Sequence, residues 1–186
     1  MLSIILVSGK AESGKDSFYE IARSESTNHL VERVSFADEV KRIARMIGWD
    51  GNKDQRGITF LQNLSYSARV YDEEIWIRKV DSYIAGKYLR DSYKDNQLVI
   101  ITDCRYANQI SYFRVKYSNV FTVRINRPEH KSKLTEKHLM HASETDLDVF
   151  ADWNYVIAND RDFDKFKLRV VKVVKDIIGH IDKTHR

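Results

Sequence analysis

The stretch LSIILVSGKAESGKDSFYEIA, residues 2–22, decides the fold. Leu2 to Val7 is an unbroken apolar run that ends at Gly9. Lys10, Ala11, Glu12 and Ser13 separate Gly9 from Gly14, and Lys15 follows, which is the spacing G-x-x-x-x-G-K. A helix-like run begins at Asp16. Strand, glycine-bounded loop and helix in this order predict a phosphate-binding loop. The two glycines allow backbone angles that a Cβ forbids. Successive N–H groups then turn inward as an anion nest. The helix behind the loop aims its free N–H groups and positive dipole end at the same anion. Lys15 supplies a mobile point charge for the outer phosphates.

One position departs from the motif. After the lysine the pattern asks for Ser or Thr, whose hydroxyl meets Mg²⁺; this chain has Asp16. A carboxylate is also a hard oxygen ligand suited to that ion, directly or through water. Alternatively Asp16 only favours the helix N-terminus electrostatically.

Working outward, 186 residues suit one domain, 1–186, with room for a real core. Charged residues at 31% and hydrophobic ones at 42% describe a soluble globular chain. The formal charge of +4 fits an anionic small substrate without demanding nucleic acid. Cys104 is the single cysteine, so no disulfide framework exists and a reducing, cytoplasmic setting is expected. The first apolar run is about six residues long and enters the loop at once, so it is expected to be a core strand rather than a signal peptide or membrane span.

Along the chain, strand-like and helix-like runs alternate. A first helix is expected from Asp16 to Arg23, then a short strand over Val31–Phe36 and a helix over Ala37–Ile47. Val40, Ile43, Ala44 and Ile47 recur there at three- and four-residue spacing. Trp49–Gly57 reads as loop and Ile58–Val70 as helix. Asp72 offers an N-cap to a long helix running to Tyr93. Leu98–Thr102 is apolar throughout, as a central parallel strand covered on both faces must be. Ala107–Tyr117 reads as helix and Val120–Ile125 as strand. Residues 127–145 are polar and break the rhythm, which marks a loop or lid. Tyr155–Ala158 is the last strand and Phe163–Ile181 the closing helix. The expected architecture is α/β with a five-stranded parallel sheet, right-handed crossovers and a lid insertion, and ligands at the carboxyl ends of the strands.

Other candidates surround the loop. Asp103 ends the LVIITD strand, where an acid holds Mg²⁺ or its water, or else caps a helix. Arg105 can fork onto phosphate oxygens, or form a surface ion pair. Asp38 and Lys41 open the helix that borders an acceptor pocket. Arg69 either clamps the acceptor or pairs with Asp72 or Glu73. Arg127, Lys131, Lys133 and Lys137 bring positive charge to the lid, or are a solvated basic loop. His130, His138 and His141 lack the partners and spacing of a zinc site. Phe36 and Trp76 are candidate base-stacking surfaces, or core.

Seven stretches carry a resemblance: SGKAESGKD (8–16), SFADEVK (35–41), ARVYDEEIW (68–76), ITDCRYANQ (101–109), VRINRP (123–128), HASETDLD (141–148) and YVIAND (155–160). In this order they resemble the phage-type deoxynucleoside monophosphate kinases of the P-loop kinase superfamily, whose fold is an adenylate-kinase-like three-layer sandwich. The resemblance implies ATP and Mg²⁺ as cofactors and a nucleoside monophosphate as acceptor, with neither nucleic acid nor membrane as partner and a homodimer possible. It implies that Gly9, Ala11, Ser13, Gly14, Lys15, Asp16 and Ser17 line the donor phosphates. Asp16 and Asp103 are then the metal carboxylates. Phe36, Asp38, Lys41, Arg69 and Trp76 border the acceptor within a helical region, 37–93. Lys15, Asp103 and Arg105 stand between donor and acceptor. Arg127 belongs to the hinge of the lid, 127–145, and Asn159 and Asp160 lie near the donor base. Tyr106 replaces the family's usual Phe, and Gln109 its frequent Glu. A similar SGKxxSGKD loop occurs in animal-type phosphomevalonate kinases, so a small-molecule phosphokinase is one alternative. A nucleotide-binding protein without phosphotransfer is another, but no basic aromatic-studded face or appended binding domain marks it.

Overall fold

The structure, a computed structural model, describes residues 2–89, 96–128, 132, 134–160 and 162–183. His130, Lys131, Lys133 and the end of the helix expected to reach Tyr93 lie outside the described residues. The elements alternate: β1 (Leu2–Ser8), α1 (Lys15–Glu25), β2 (Leu30–Val34), α2 (Phe36–Met46), α3 (Gln55–Tyr71), α4 (Ile75–Ile84), β3 (Gln97–Cys104), α5 (Ala107–Lys116), β4 (Val120–Asn126), α6 (Glu136–Leu139), α7 (Ala142–Thr145), β5 (Tyr155–Ala158) and α8 (Phe163–Lys183). A π turn, Ala85–Leu89, prolongs α4. The five strands pair in the order β2-β3-β1-β4-β5, every pair parallel.

The two central strands explain their sequences. Side chains alternate across a strand, so Ile4, Leu6, Val99 and Ile101 face one layer and Ile5, Val7, Leu98 and Ile100 the other. The first set packs on Phe36 and Val40 of α2, Trp76, Ile77, Val80 and Ile84 of α4, and Ile110 and Phe113 of α5. The second packs on Phe18, Ile21 and Ala22 of α1 and on Phe166, Val170, Val174 and Ile177 of α8. Each of the covered Val, Leu, Ile and Phe side chains contributes about 2 kcal/mol relative to exposure. Three layers and two cores result, and the carboxyl ends of β1 and β3 stay open between them.

Local chemistry moves several expected boundaries. β2 stops at Val34 because Ser35 takes the N-cap of α2, its Oγ accepting from the Ala37 N–H, and Phe36 becomes helical. α3 starts at Gln55, three residues before the apolar pattern, since the Asp54 carboxylate accepts from the Gly57 N–H. Asp72 is not the N-cap of α4. It ends α3, and its carboxylate accepts from the Glu74 N–H, so the turn between the helices is an Asx turn and α4 begins at Ile75. Gln109 closes a capping box on α5: its Oε1 accepts from the Arg105 and Tyr106 N–H groups at 2.7 and 3.1 Å. An amide serves that position without a charge.

Away from the strand ends, Asp81 is buried and accepts from Tyr117 Oη at 2.7 Å, Tyr112 Oη at 3.1 Å and Lys116 Nζ at 2.5 Å, tying α4 to α5. Burial, then the Asp81 bond, raises the Tyr117 phenol well above its ordinary range. Asp81→Ala leaves two phenols without their acceptor. The expected loss is about 2 kcal/mol, or about 6 °C in melting temperature, read by thermal unfolding. No helix among the described residues is long and apolar enough to cross a membrane.

Candidate phosphate-binding site between two cavities

The glycine loop is held by contacts only glycines permit. Gly9 and Gly14 adopt φ of 155° and 109°. A Cβ on Gly9 would stand 2.6 Å from the Ile125 carbonyl oxygen, and one on Gly14 2.9 Å from Asn159 Nδ2. The ends of β4 and β5 clamp the loop: Asn159 Nδ2 donates to the Ser13 carbonyl at 2.8 Å, and Arg127 Nη1 to the Glu12 carbonyl at 2.9 Å. Lys15 folds back and donates to the Gly9 and Lys10 carbonyls at 2.8 and 2.7 Å. Burial, then the Arg105 charge, lowers its ammonium pKa to about 7, against the opposing pull of Glu144, Asp103 and Asp16.

Two cavities open on either side of this loop. One, of about 340 Å³, is lined by Ser13, Gly14, Ser17, Arg127, Asn159, Phe163 and Phe166. The other, of about 830 Å³, lies under α2 and α3, with Phe36, Lys41, Trp76, Asp103, Arg105 and Tyr106 in its wall. Glu12, Lys15 and Asp16 line both. A lysine and two carboxylates therefore stand between the two cavities.

Most sequence-predicted residues come together here. Gly14, Lys15, Asp16, Ser13, Ser17, Arg127 and Asn159 line the smaller cavity, and Ala11, Phe36, Lys41, Trp76, Asp103 and Arg105 the larger. Gly9 lines neither cavity and meets the site through its carbonyl, which accepts from Lys15. Three others are placed otherwise. Arg69 lies outside the cavity wall, its guanidinium 3.6 Å from the centre of the Tyr106 ring and Nη1 donating to the Glu73 carbonyl at 2.9 Å. It supports the ring that does line the cavity. Asp38 lies at the rim, beside Lys41 at 3.3 Å and Arg33 at 3.8 Å. Asp160 is engaged by both terminal nitrogens of Arg169 at 2.9 Å and lies outside the smaller cavity.

The aromatic candidates Phe36 and Trp76 are 5% and 4% exposed, so they offer edges of a packed wall rather than open platforms. Trp76 Nε1 is spent on the Ser65 carbonyl at 3.0 Å. His138 uses both ring nitrogens on hydroxyls, Thr59 at 2.9 Å and Thr135 at 3.0 Å, and so straps α6 to α3. His141 N-caps α7, its Nδ1 accepting from the Ser143 N–H, and burial lowers its pKa.

The two carboxylates differ sharply. Asp16 is 90% exposed, with Arg33 Nε at 3.8 Å its only ion-pair partner among the described residues, so its oxygens are available. Asp103 is already engaged: Oδ1 accepts from the Phe36 N–H, and Oδ2 from the Ala37 N–H and Ser35 Oγ, all at 2.8 Å. It caps α2 across the sheet. A register shift between β1 and β3, with Leu6 opposite Ile101 but Ser8 opposite Cys104, inserts one extra residue and turns Asp103 toward that helix end. Among the described residues no three His, Cys, Asp or Glu side chains cluster as a metal cage. That fits Mg²⁺, which binds through one or two carboxylates, phosphate oxygens and water rather than in an all-protein cage. Asp16 fits a ligand role. Asp103 fits only through lone pairs left over from the cap.

Residues the sequence left without a role complete the site. Glu144, of the HASE stretch, accepts from Arg105 Nη1 at 2.6 Å and from the Ala11 N–H at 3.2 Å. Lys10 donates to the Glu144 carbonyl and to Asp148. Arg33 and Tyr106 line the larger cavity, and Phe163, 58% exposed, the smaller. Only Glu144 left a trace, an acid three residues after His141; the rest needed the fold.

No protein-family model matches the chain, and no curated protein sequence matches it significantly. Its fold is that of P-loop kinases. It is similar in structure to dephospho-CoA kinase from Campylobacter jejuni, at 17% identity and TM-score 0.53 over 95% of this chain and 98% of the other. It is similar to a gluconokinase from Sinorhizobium meliloti at 12% identity and TM-score 0.53, over 99% and 98% of the two chains. A sugar kinase from Janibacter gives 13% identity and TM-score 0.52 over 98% and 95%.

Proposed function

We propose that this chain is an ATP- and Mg²⁺-dependent phosphotransferase that moves the γ-phosphoryl group onto the phosphate of a nucleoside monophosphate, a deoxynucleotide above all. One observation carries the reading: the smaller and larger cavities meet at Lys15 and Asp16. The larger has the volume of a nucleotide site. Its cations, Arg33, Lys41 and Arg105, suit a phosphate, and its apolar wall, with Phe36, Val40, Leu61 and Trp76, suits the body of an organic acceptor. That volume of about 830 Å³ favours a nucleotide over the smaller mevalonate 5-phosphate as acceptor.

The acceptor oxygen is already an anion at neutral pH, so the reaction needs no strong general base. What the chain supplies is position and charge. The loop N–H groups and the α1 terminus hold the donor phosphates. Lys15 leaves the Gly9 and Lys10 carbonyls to bind the transferring group, and Arg105 presents its free N–H edge to the acceptor phosphate. Asp16 would hold Mg²⁺, which would supply positive charge to neutralise the donor phosphates. In this reading the segment 127–145 holds the lid, and of its described residues Leu134, His138 and Ser143 line the larger cavity, where they would exclude water.

A test of the acceptor is ADP release from ATP and Mg²⁺ across deoxy- and ribonucleoside monophosphates and mevalonate 5-phosphate. A nucleotide is expected to stimulate it; stimulation by mevalonate 5-phosphate alone rejects the nucleotide reading. The lowered pKa of Lys15 adds a pH dependence. Below about 7 the free protein already carries the ammonium that phosphate needs; above 7 it must first take up a proton. ATP affinity is therefore expected to fall as pH rises from 7 to 9, with proton uptake on binding at pH 8. Calorimetry in buffers of different ionisation enthalpy measures this, and affinity that is flat with pH contradicts it.

A further inference from the structure

Glu144 lines the larger cavity and is the most enclosed carboxylate beside the loop, 5% exposed at its side chain. Its two oxygens face two different parts of the machinery. Oε1 accepts from Arg105 Nη1 at 2.6 Å, and Oε2 accepts from the backbone N–H of Ala11, inside the glycine loop, at 3.2 Å. The Ser143 carbonyl takes a second contact from the same Nη1 at 3.4 Å. Behind it the segment is fastened again. Lys10 donates to the Glu144 carbonyl and, like Arg124, to Asp148; Arg124 also reaches Ser8 Oγ at 3.1 Å. Among the described residues, Nε and Nη2 of Arg105 make no hydrogen bond, and Arg105 lines the larger cavity.

We propose that Glu144 is a positioning residue that couples the phosphate loop to Arg105. It fixes one nitrogen of the guanidinium and leaves the opposite edge aimed at the acceptor phosphate. The proposal rests on the phosphotransfer reading. An arginine on a flexible stem spends binding energy on finding one orientation; an arginine held on one side has already lost that freedom. Because the same carboxylate is bonded to the Ala11 N–H, the arginine is registered to the loop that holds the donor. Donor and acceptor phosphates are thereby placed by one rigid unit instead of two. The carboxylate also offsets the Arg105 charge beside Lys15, which allows two cations to face one site.

Glu144→Gln tests this with little change of volume. The site offers two N–H donors, and Gln brings only one acceptor oxygen, so its NH₂ must face a donor. kcat/KM for the acceptor is expected to fall about 100-fold, with Glu144→Asp recovering a larger share than Gln. The decisive reading is a double-mutant cycle with Arg105→Lys. If Glu144 acts through Arg105, the double variant loses no more than the worse single one. The same cycle on pyrophosphate binding, by calorimetry, is expected to be non-additive too, and needs no turnover. Wild-type protein that phosphorylates no acceptor therefore sinks the phosphotransfer reading, while the binding cycle still decides the coupling. Losses that multiply in the double variant, or a Gln variant with wild-type acceptor kinetics and pyrophosphate affinity, overturn the proposal. If the Gln variant melts below the assay temperature, Glu144→Asp takes its place in the cycle.

Discussion

Lys15→Ala is expected to lower turnover about a thousand-fold while the protein melts no lower than wild type. The first half follows from position. Lys15 lines both cavities, and nothing else among the described residues puts a mobile cation there. The second half follows from its electrostatics. Folding lowers the ammonium pKa from 10.5 to about 7, because burial and Arg105 outweigh the nearby carboxylates. The unfolded chain thus binds more protons than the folded one between these values. The contribution of Lys15 to stability accordingly rises with pH from about 7 to 10.5, and at neutral pH the lysine opposes folding. Removing it loses two bonds to carbonyls and removes that opposition. Steady-state kinetics with thermal unfolding separates the effects. Near-normal turnover contradicts the mechanism; a collapse in melting temperature assigns the loss to the fold.

Asp103→Ala is expected to be the most damaging substitution to stability near the site. Its carboxylate accepts three bonds from the first turn of α2, two from backbone N–H groups and one from Ser35 Oγ. Among the described residues, Ser35 Oγ at 3.2 Å is the only other acceptor for the Ala37 N–H. Losing the cap is expected to cost about 3 kcal/mol, or about 9 °C in melting temperature. Activity suffers through the same element, since α2 brings Phe36, Val40 and Lys41 to the larger cavity. A rise of at least about tenfold in acceptor KM is expected from their displacement. Asp103→Asn keeps one acceptor oxygen and is expected to lie between wild type and Ala on both readings. If instead Asn melts like wild type and abolishes turnover, the carboxylate serves a metal more than the helix.

What the sequence made legible follows from periodicity. The loop at 9–15 is defined by glycine spacing, and the covered strands by unbroken apolar runs, so the strand-loop-helix start, the parallel sheet and its layers could be read directly. Boundaries set by single side-chain bonds could not. The apolar pattern of α3 starts at Ile58, but the Asp54 cap starts the helix at Gln55. Asp72, at the junction of two helices, could equally cap the second or end the first. Contacts across the sheet were hidden altogether. Asp103 is 67 residues from the N–H of Phe36 that it caps, and Glu144 is 133 residues from the N–H of Ala11. Charged side chains were the least legible: Arg69, Asp38 and Asp160 had the right type and spacing, yet nearer partners hold each outside the cavities.

Transfer between the two cavities is the centre of the account, and following the label tests it most directly. ATP labelled at the γ-phosphate is incubated with Mg²⁺, a deoxynucleoside monophosphate and the protein, and the products are separated. The label is expected in the nucleoside diphosphate with wild type and to be lost from it with Lys15→Ala. Label that stays in ATP, or appears only as inorganic phosphate, across every nucleotide acceptor would contradict it.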